Sequence, residues 1–213
     1  SQRPVIDYSV PSTTNFVIGF MHALGIEHTS LIGHSAGGAL CLTAAINFPE
    51  KVDKLILVDS GGLSEEVPLR YRLCTIPIIS DILMRPTTRT TIRMGMERGF
   101  YNKDLITEEW VEKSYQYMKM PGTKQALLNI IHDNASFSGL HPEAILIDKF
   151  HLIKSPTLII HGAQDEVVPV RYARSASTII RNARLEVFDE CGHCPHIEKA
   201  SEFNSVVTAF LKS

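Results

Sequence analysis

Four short stretches of the chain carry apolar residues without the polar alternation of a half-exposed strand: His28-Thr-Ser-Leu-Ile-Gly33, Leu55-Ile-Leu-Val58, Thr157-Leu-Ile-Ile-His161 and Leu185-Glu-Val-Phe188. Unbroken apolar runs of this length, bounded by charges or glycines, predict strands buried on both faces, the mark of a parallel sheet covered by helices. Between them the period changes from two to nearly four. Phe16, Val17, Phe20, Met21 and Leu24 fall on one helical face, behind capping residues in Ser12-Thr-Thr-Asn15 and before Gly25. Further helices are expected over Ala36 to about Phe48, closed by Pro49, over Val170 to about Ile180, and over Ala200 to Leu211. Strands joined by crossover helices imply an α/β fold with a doubly wound, mostly parallel sheet, whose ligands bind beyond the carboxyl ends of the strands.

From about Leu63 to Phe150 helical patterns succeed one another without a strand signal, broken at Pro77, Pro86, Pro121 and Pro142. Thr107-Glu-Glu-Trp110 opens one of them with a capping residue and an acidic first turn. Because the strand–helix alternation resumes afterwards, residues 63–150 are expected to be a helical insertion in a core built from 1–62 and 151–213. Trp110, Met118 and Met120 are expected in the core of that insertion. Arg85, Arg89 and Arg93, spaced by four, are expected on a solvated face of it.

Composition narrows the classes. At 213 residues, 44% hydrophobic and 21% charged, the chain is an ordinary globular one, which excludes disorder, collagen and coiled coil. A formal net charge of −2 gives no electrostatic footprint for nucleic acid or an anionic membrane, so the expected partner is a small molecule. No apolar run reaches the ~18–20 residues of a membrane span. Four cysteines are too few for a disulfide framework, which points to a reducing, cytoplasmic location.

Three loops at expected strand ends carry chemistry. Gly33-His34-Ser35-Ala36-Gly37 lies between a strand and a helix, the context of a nucleophile elbow. The tight turn calls for small residues two before and two after the serine, here Gly33 and Gly37. It would present the Ser35 hydroxyl at a helix N-terminus, where the backbone N–H of Ala36 can meet an oxyanion. The second loop, His161 to Pro169, contains Asp165, a carboxylate on the same rim that could orient an imidazole; capping of the helix after Pro169 is the plainer role. The third, Asp189 to His196, offers His193 as a proton carrier. Asp59 is a second possible acid and His196 a second possible base.

The segments Leu31-Ile-Gly-His-Ser-Ala-Gly-Gly38, Pro156-Thr-Leu-Ile-Ile-His-Gly162 with Asp165 and Pro169, and Gly192-His193 with His196-Ile-Glu-Lys199 resemble the serine α/β-hydrolase superfamily. The chain order Ser35, Asp165, His193 is that of its triad. The resemblance covers essentially the whole chain and implies an α/β-hydrolase fold with a helical cap over 63–150. Ser35 would be the nucleophile, His193 the base and acid, Asp165 the orienting carboxylate and the Ala36 N–H one oxyanion donor, with no metal or organic cofactor. The reaction implied is hydrolysis of a small carboxylic ester through an acyl-enzyme, with C–C bond hydrolysis of a vinylogous diketone or ligand binding without turnover as alternatives. Val168 and the insertion would form an apolar pocket, enlarged where Cys194 replaces an aromatic of relatives. Relatives carry further N-terminal strands and a loop with the second oxyanion donor, so the strand around Leu31 is expected to lack a neighbour, to be completed by additional residues or another copy. Cys191-Gly-His-Cys194 also spells the active-site tetrapeptide of protein disulfide isomerases, but its place after the last strand is not that of a thioredoxin-like redox pair.

Overall fold

The computed structural model describes residues 3–83 and 88–213. Helix α1 (Val10–Ala23), strand β1 (Thr29–His34), helix α2 (Ala36–Asn47) and strand β2 (Val52–Val58) come first. Helices α3 (Leu69–Cys74), α4 (Pro77–Leu83), α5 (Arg89–Glu97), α6 (Glu108–Lys119) and α7 (Thr123–His132) follow. A small hairpin of strands β3 (Ala135–Ser136) and β4 (Gly139–Leu140) ends this stretch. Strand β5 (Thr157–Gly162), helix α8 (Val170–Ile179), strand β6 (Ala183–Phe188) and helices α9 (Pro195–Glu198) and α10 (Ala200–Lys212) complete the described chain.

The main sheet has the order β1-β2-β5-β6, and every neighbouring pair is parallel. Successive residues of β2 serve opposite faces, as the period of two requires. Leu55 and Leu57 join Leu42, Phe150, Ile159 and Ala173 on the face covered by α1, α2 and α8. Ile56 and Val58 join Leu158, Ile160, Phe188, Phe203 and Phe210 beneath α10 on the other. Burying Leu or Ile side chains in this way contributes about 1.5–3 kcal/mol each, the largest stabilising term available to the sheet.

Three local expectations change. Helix α1 starts at Val10, not after Ser12: Ser9 caps it by accepting the Ser12 N–H, and Pro11 fits its first turn. Strand β1 is only partly buried, with Ile32 52% exposed, against the full burial its apolar run predicts; it lies at the edge of the four-stranded sheet, lacking the neighbour that the resemblance implies would be absent. The hairpin β3–β4 departs from the all-helical reading of this stretch; its two-residue strands are too short for an apolar run, Phe137 and Ser138 make its turn, and Gly139, at φ 148°, opens β4.

Register brings the chemistry to one rim. His34 lies opposite Val58, which lies opposite Ile160. The Ser35 N–H donates to the Val58 carbonyl at 3.0 Å and the Asp59 N–H to the Ile160 carbonyl at 3.0 Å, so these residues leave the sheet at the same level. Among the described residues no helix is long and apolar enough to cross a membrane.

Candidate active site

Ser35 sits at φ 52° and ψ −123°, a conformation that L-residues avoid and that surrounding packing must enforce. A Cβ on Gly33 would run into the Gly37 carbonyl and Cys41 Sγ, and one on Gly38 into the Ser60 side chain. Gly37 itself faces open space. The close approaches of the elbow therefore fall at Gly33 and Gly38, and the steric reason expected for Gly37 does not hold, because α2 begins at Ala36 and turns residue 37 outward. The Ala36 N–H belongs to the first turn of α2, whose leading N–H groups have no partner within the helix.

The three loops converge. The Ser35 hydroxyl lies 2.9 Å from His193 Nε2, and His193 Nδ1 lies 2.7 Å from Asp165 Oδ2. With Ser35 donating to Nε2, Nδ1 carries the ring proton and donates to Asp165. The other oxygen of Asp165 accepts the N–H groups of Val167 at 2.7 Å and Val168 at 2.9 Å. Burial alone would raise the Asp165 pKa, but the hydrogen bond and charge of His193, with these two N–H groups, outweigh it and hold the carboxyl below its ordinary value. It is an anion that holds an imidazole.

Neighbours fix the histidine loop. His34 Nε2 lies 2.6 Å from the His193 carbonyl oxygen, and burial lowers the His34 pKa, which favours a neutral ring donating this bond. The His193 N–H donates to the Gly99 carbonyl at 2.8 Å. Glu198 accepts three backbone N–H groups, from Gly192 at 2.7 Å, Tyr101 at 2.8 Å and Asn102 at 2.9 Å. Gly99 and Glu198 thus stitch the segment before α6 to the loop of His193. Their roles were not legible in the sequence, since a carbonyl carries no residue signal and Glu198 entered only within the His196-Ile-Glu-Lys199 segment, with no role of its own.

Other candidates separate from this line. His196 stacks edge-on against His34 with centroids 4.8 Å apart, and its Nδ1 has no hydrogen-bond partner among the described residues, so it is packing for the elbow and not the base on Ser35. Cys194 is not among the residues lining the cavity beside Ser35; it packs with Phe100, Ile106 and Val111, which corrects its expected place in the pocket. All four cysteines are free, and burial pushes the Cys194 thiol up to about 12 and the Cys191 thiol up as well, the reverse of a redox-active pair. Trp110 packs against Phe100 at 6.1 Å and Met118 is half-buried, but Met120 is exposed, because it lies just beyond the end of α6. Arg89 and Arg93 pair with Glu112 and Glu108 at 2.6 and 2.7 Å on the surface between α5 and α6; Arg85 lies outside the described residues.

A cavity of about 350 Å³ opens beside Ser35 and Ala36. Val168 and Pro169 form one wall, Tyr71, Ile130, Ile131 and Leu140 of the helical stretch another, and among the described residues Glu66 is the charged one lining it. At the rim Tyr172 donates to Glu66, and Arg171 does so at 2.9 Å; the bond from Tyr172 first, and then that from Arg171, keeps the Glu66 carboxyl below its ordinary range.

A hydroxyl, an imidazole and a buried carboxylate in line, on separate strand ends of a parallel sheet covered by helices, define an α/β protein of the serine-triad class. The sequence profile of the alpha/beta hydrolase family matches residues 3–206, and the chain belongs to that family. It is 30% identical to a 2-hydroxymuconate semialdehyde hydrolase of Pseudomonas putida, over 99% of this chain and 72% of that protein. An uncharacterised protein of Mycobacterium tuberculosis is 28% identical over 99% of this chain; the chain spans 64% of that relative's length. Among solved structures, a meta-cleavage product hydrolase of Pseudomonas fluorescens superposes with a TM-score of 0.81 at 26% identity, covering 99% of this chain and 75% of the other.

Proposed function

We propose that the protein is a serine hydrolase that cleaves small carboxylic esters with uncharged, apolar acyl groups through an acyl-enzyme. The observation that carries this reading is the Ser35–His193–Asp165 line at the mouth of a mostly apolar cavity. In this mechanism His193 Nε2 takes the Ser35 proton as Oγ attacks the ester carbonyl, and Asp165 stabilises the imidazolium that forms. The tetrahedral oxyanion meets the Ala36 N–H at the start of α2. His193 returns the proton to the leaving alcohol, the C–O bond breaks, and water repeats the sequence on the acyl group. In this reading residues 63–150 act as the cap, supported by Tyr71, Ile130, Ile131 and Leu140 of that stretch lining the pocket.

A second reading, hydrolysis of a C–C bond, is favoured by the name of the Pseudomonas putida relative. A muconate semialdehyde carries a carboxylate, however, and here the charged group facing the cavity is the anionic Glu66. Among the described lining residues there is no Lys, Arg or His to pair such a carboxylate, and Arg171 at the rim is already taken by Glu66. Measuring kcat/KM for p-nitrophenyl butyrate and for 2-hydroxymuconate semialdehyde, in the wild type and in Ser35→Ala, tests the choice. The ester should be the better substrate by at least about 100-fold, and Ser35→Ala should lose at least about 10⁴ of its turnover. Faster cleavage of the semialdehyde would install the second reading, and ester turnover untouched by Ser35→Ala would overturn both.

A further inference from the structure

Behind the triad lies a second carboxyl that the mechanism leaves unused. Asp59 follows β2 directly, is fully buried, and takes a left-handed backbone conformation at φ 41°. Its Oδ1 accepts the Gly162 N–H at 2.9 Å, whereas its Oδ2 has no hydrogen-bond partner among the described residues. One oxygen of Asp59, one of Asp165 and a ring nitrogen of His161 lie within 4.8 Å of one another. An oxygen of Asp59 likewise lies within 4.8 Å of ring nitrogens of His34 and His193. Asp59 therefore faces the same imidazole as Asp165, from the next strand end.

Two buried carboxylates this close do not both ionise at neutral pH. Asp165 has the ring proton of His193 and two backbone N–H groups to hold its charge; Asp59 has one N–H. Asp165 takes the charge. Burial first, then the charge of Asp165, push Asp59 up to about 9 against the pull of the Gly162 N–H. The other titratable groups around it are His161, lowered by burial and bonded through Nε2 to the Val168 carbonyl at 2.8 Å, together with His34, Glu198, Cys191 and Cys194.

We propose that Asp59 is a latent acid of the triad: a neutral carboxyl while Asp165 carries the charge, and the carboxylate that orients His193 once Asp165 is removed. This rests on the serine-hydrolase reading above. Asp59 is a positioning residue in the sense that it acts on the ester only through His193. Removing the negative charge of Asp165 removes one of the influences that keep Asp59 protonated, so Asp59 then ionises at lower pH.

The test is a double-mutant cycle over pH, with Asp165→Asn, Asp59→Asn and the double variant, read as kcat/KM for p-nitrophenyl butyrate from pH 6 to 9.5. Asn at position 59 keeps an acceptor for the Gly162 N–H and cannot ionise. Asp165→Asn should lose about 10⁴ at pH 7 and regain at least tenfold as the pH rises, as the ionised Asp59 restores the productive tautomer of His193. The double variant should stay flat and lie at least tenfold below Asp165→Asn at pH 9. A merely structural Asp59 would lower both backgrounds by the same factor at every pH, and superimposable profiles of the single and double variants would overturn the proposal. Should the double variant not fold, a flat profile for Asp165→Asn alone has the same force. Ester turnover by the wild type that Ser35→Ala abolishes separates failure of this proposal from failure of the hydrolase reading.

Discussion

Glu198 is the sharpest place to test how the histidine loop is held. Its carboxylate uses both oxygens as acceptors: one for the buried Gly192 N–H, the other for the exposed N–H groups of Tyr101 and Asn102. Replacing it by Ala leaves the Gly192 N–H buried and unpaired, which costs about 1–3 kcal/mol, while water replaces the partner of the other two at a further cost of about 1 kcal/mol. The sum is about 2–4 kcal/mol, or about 2–4 °C in Tm for each kcal/mol in a chain of this size. Glu198→Gln should behave almost as badly as Ala. An amide has one acceptor, so its NH₂ must point at one of the donor groups. Both variants should also lose about 10–100-fold in kcat for a chromogenic ester, because Gly192 precedes His193 and a displacement near 1 Å has an effect of that order. Thermal unfolding and ester kinetics on the three proteins decide it. A Gln variant with wild-type Tm and wild-type kcat would refute the donor–acceptor argument.

The glycines of the elbow should separate: Gly38→Ala should destabilise by several kcal/mol, since its Cβ overlaps Ser60, whereas Gly37→Ala should be neutral or stabilise by up to about 1 kcal/mol, as read by urea unfolding. Asp59→Asn should raise stability increasingly from about pH 4 to about pH 9. In that window the folded protein keeps a proton that the unfolded chain has released, so wild-type stability falls with rising pH, and Tm measured across pH should show the gap between the two proteins widening. Cys191 and Cys194 should react with iodoacetamide at pH 7.5 far more slowly than in the unfolded protein, with no difference after reductant, as followed by intact mass.

The strands and the serine turn were legible because they rest on local signals: continuous apolar runs for β2 and β5, and a glycine-flanked serine between a strand and a helix. Asp165 and His193 were legible only as members of a chain order, since nothing local distinguishes His193 from His196. The edge character of β1 followed from the family resemblance and not from Leu31 and Ile32, whose apolarity is that of an interior strand. The neutral state of Asp59 depends on Asp165 across the gap between strand ends, and the place of Cys194 depends on Phe100, Ile106 and Val111, distant in sequence. Such facts are made by tertiary contact, and a periodicity argument has no access to them.

The most direct measurement of the central claim is covalent labelling with a fluorophosphonate, mapped to the residue by mass spectrometry. The account predicts one adduct on the Oγ of Ser35, formed at least about 100-fold more slowly in His193→Ala. A folded protein that takes no label, as a binding module without catalysis would, or that carries it on another residue, would contradict it.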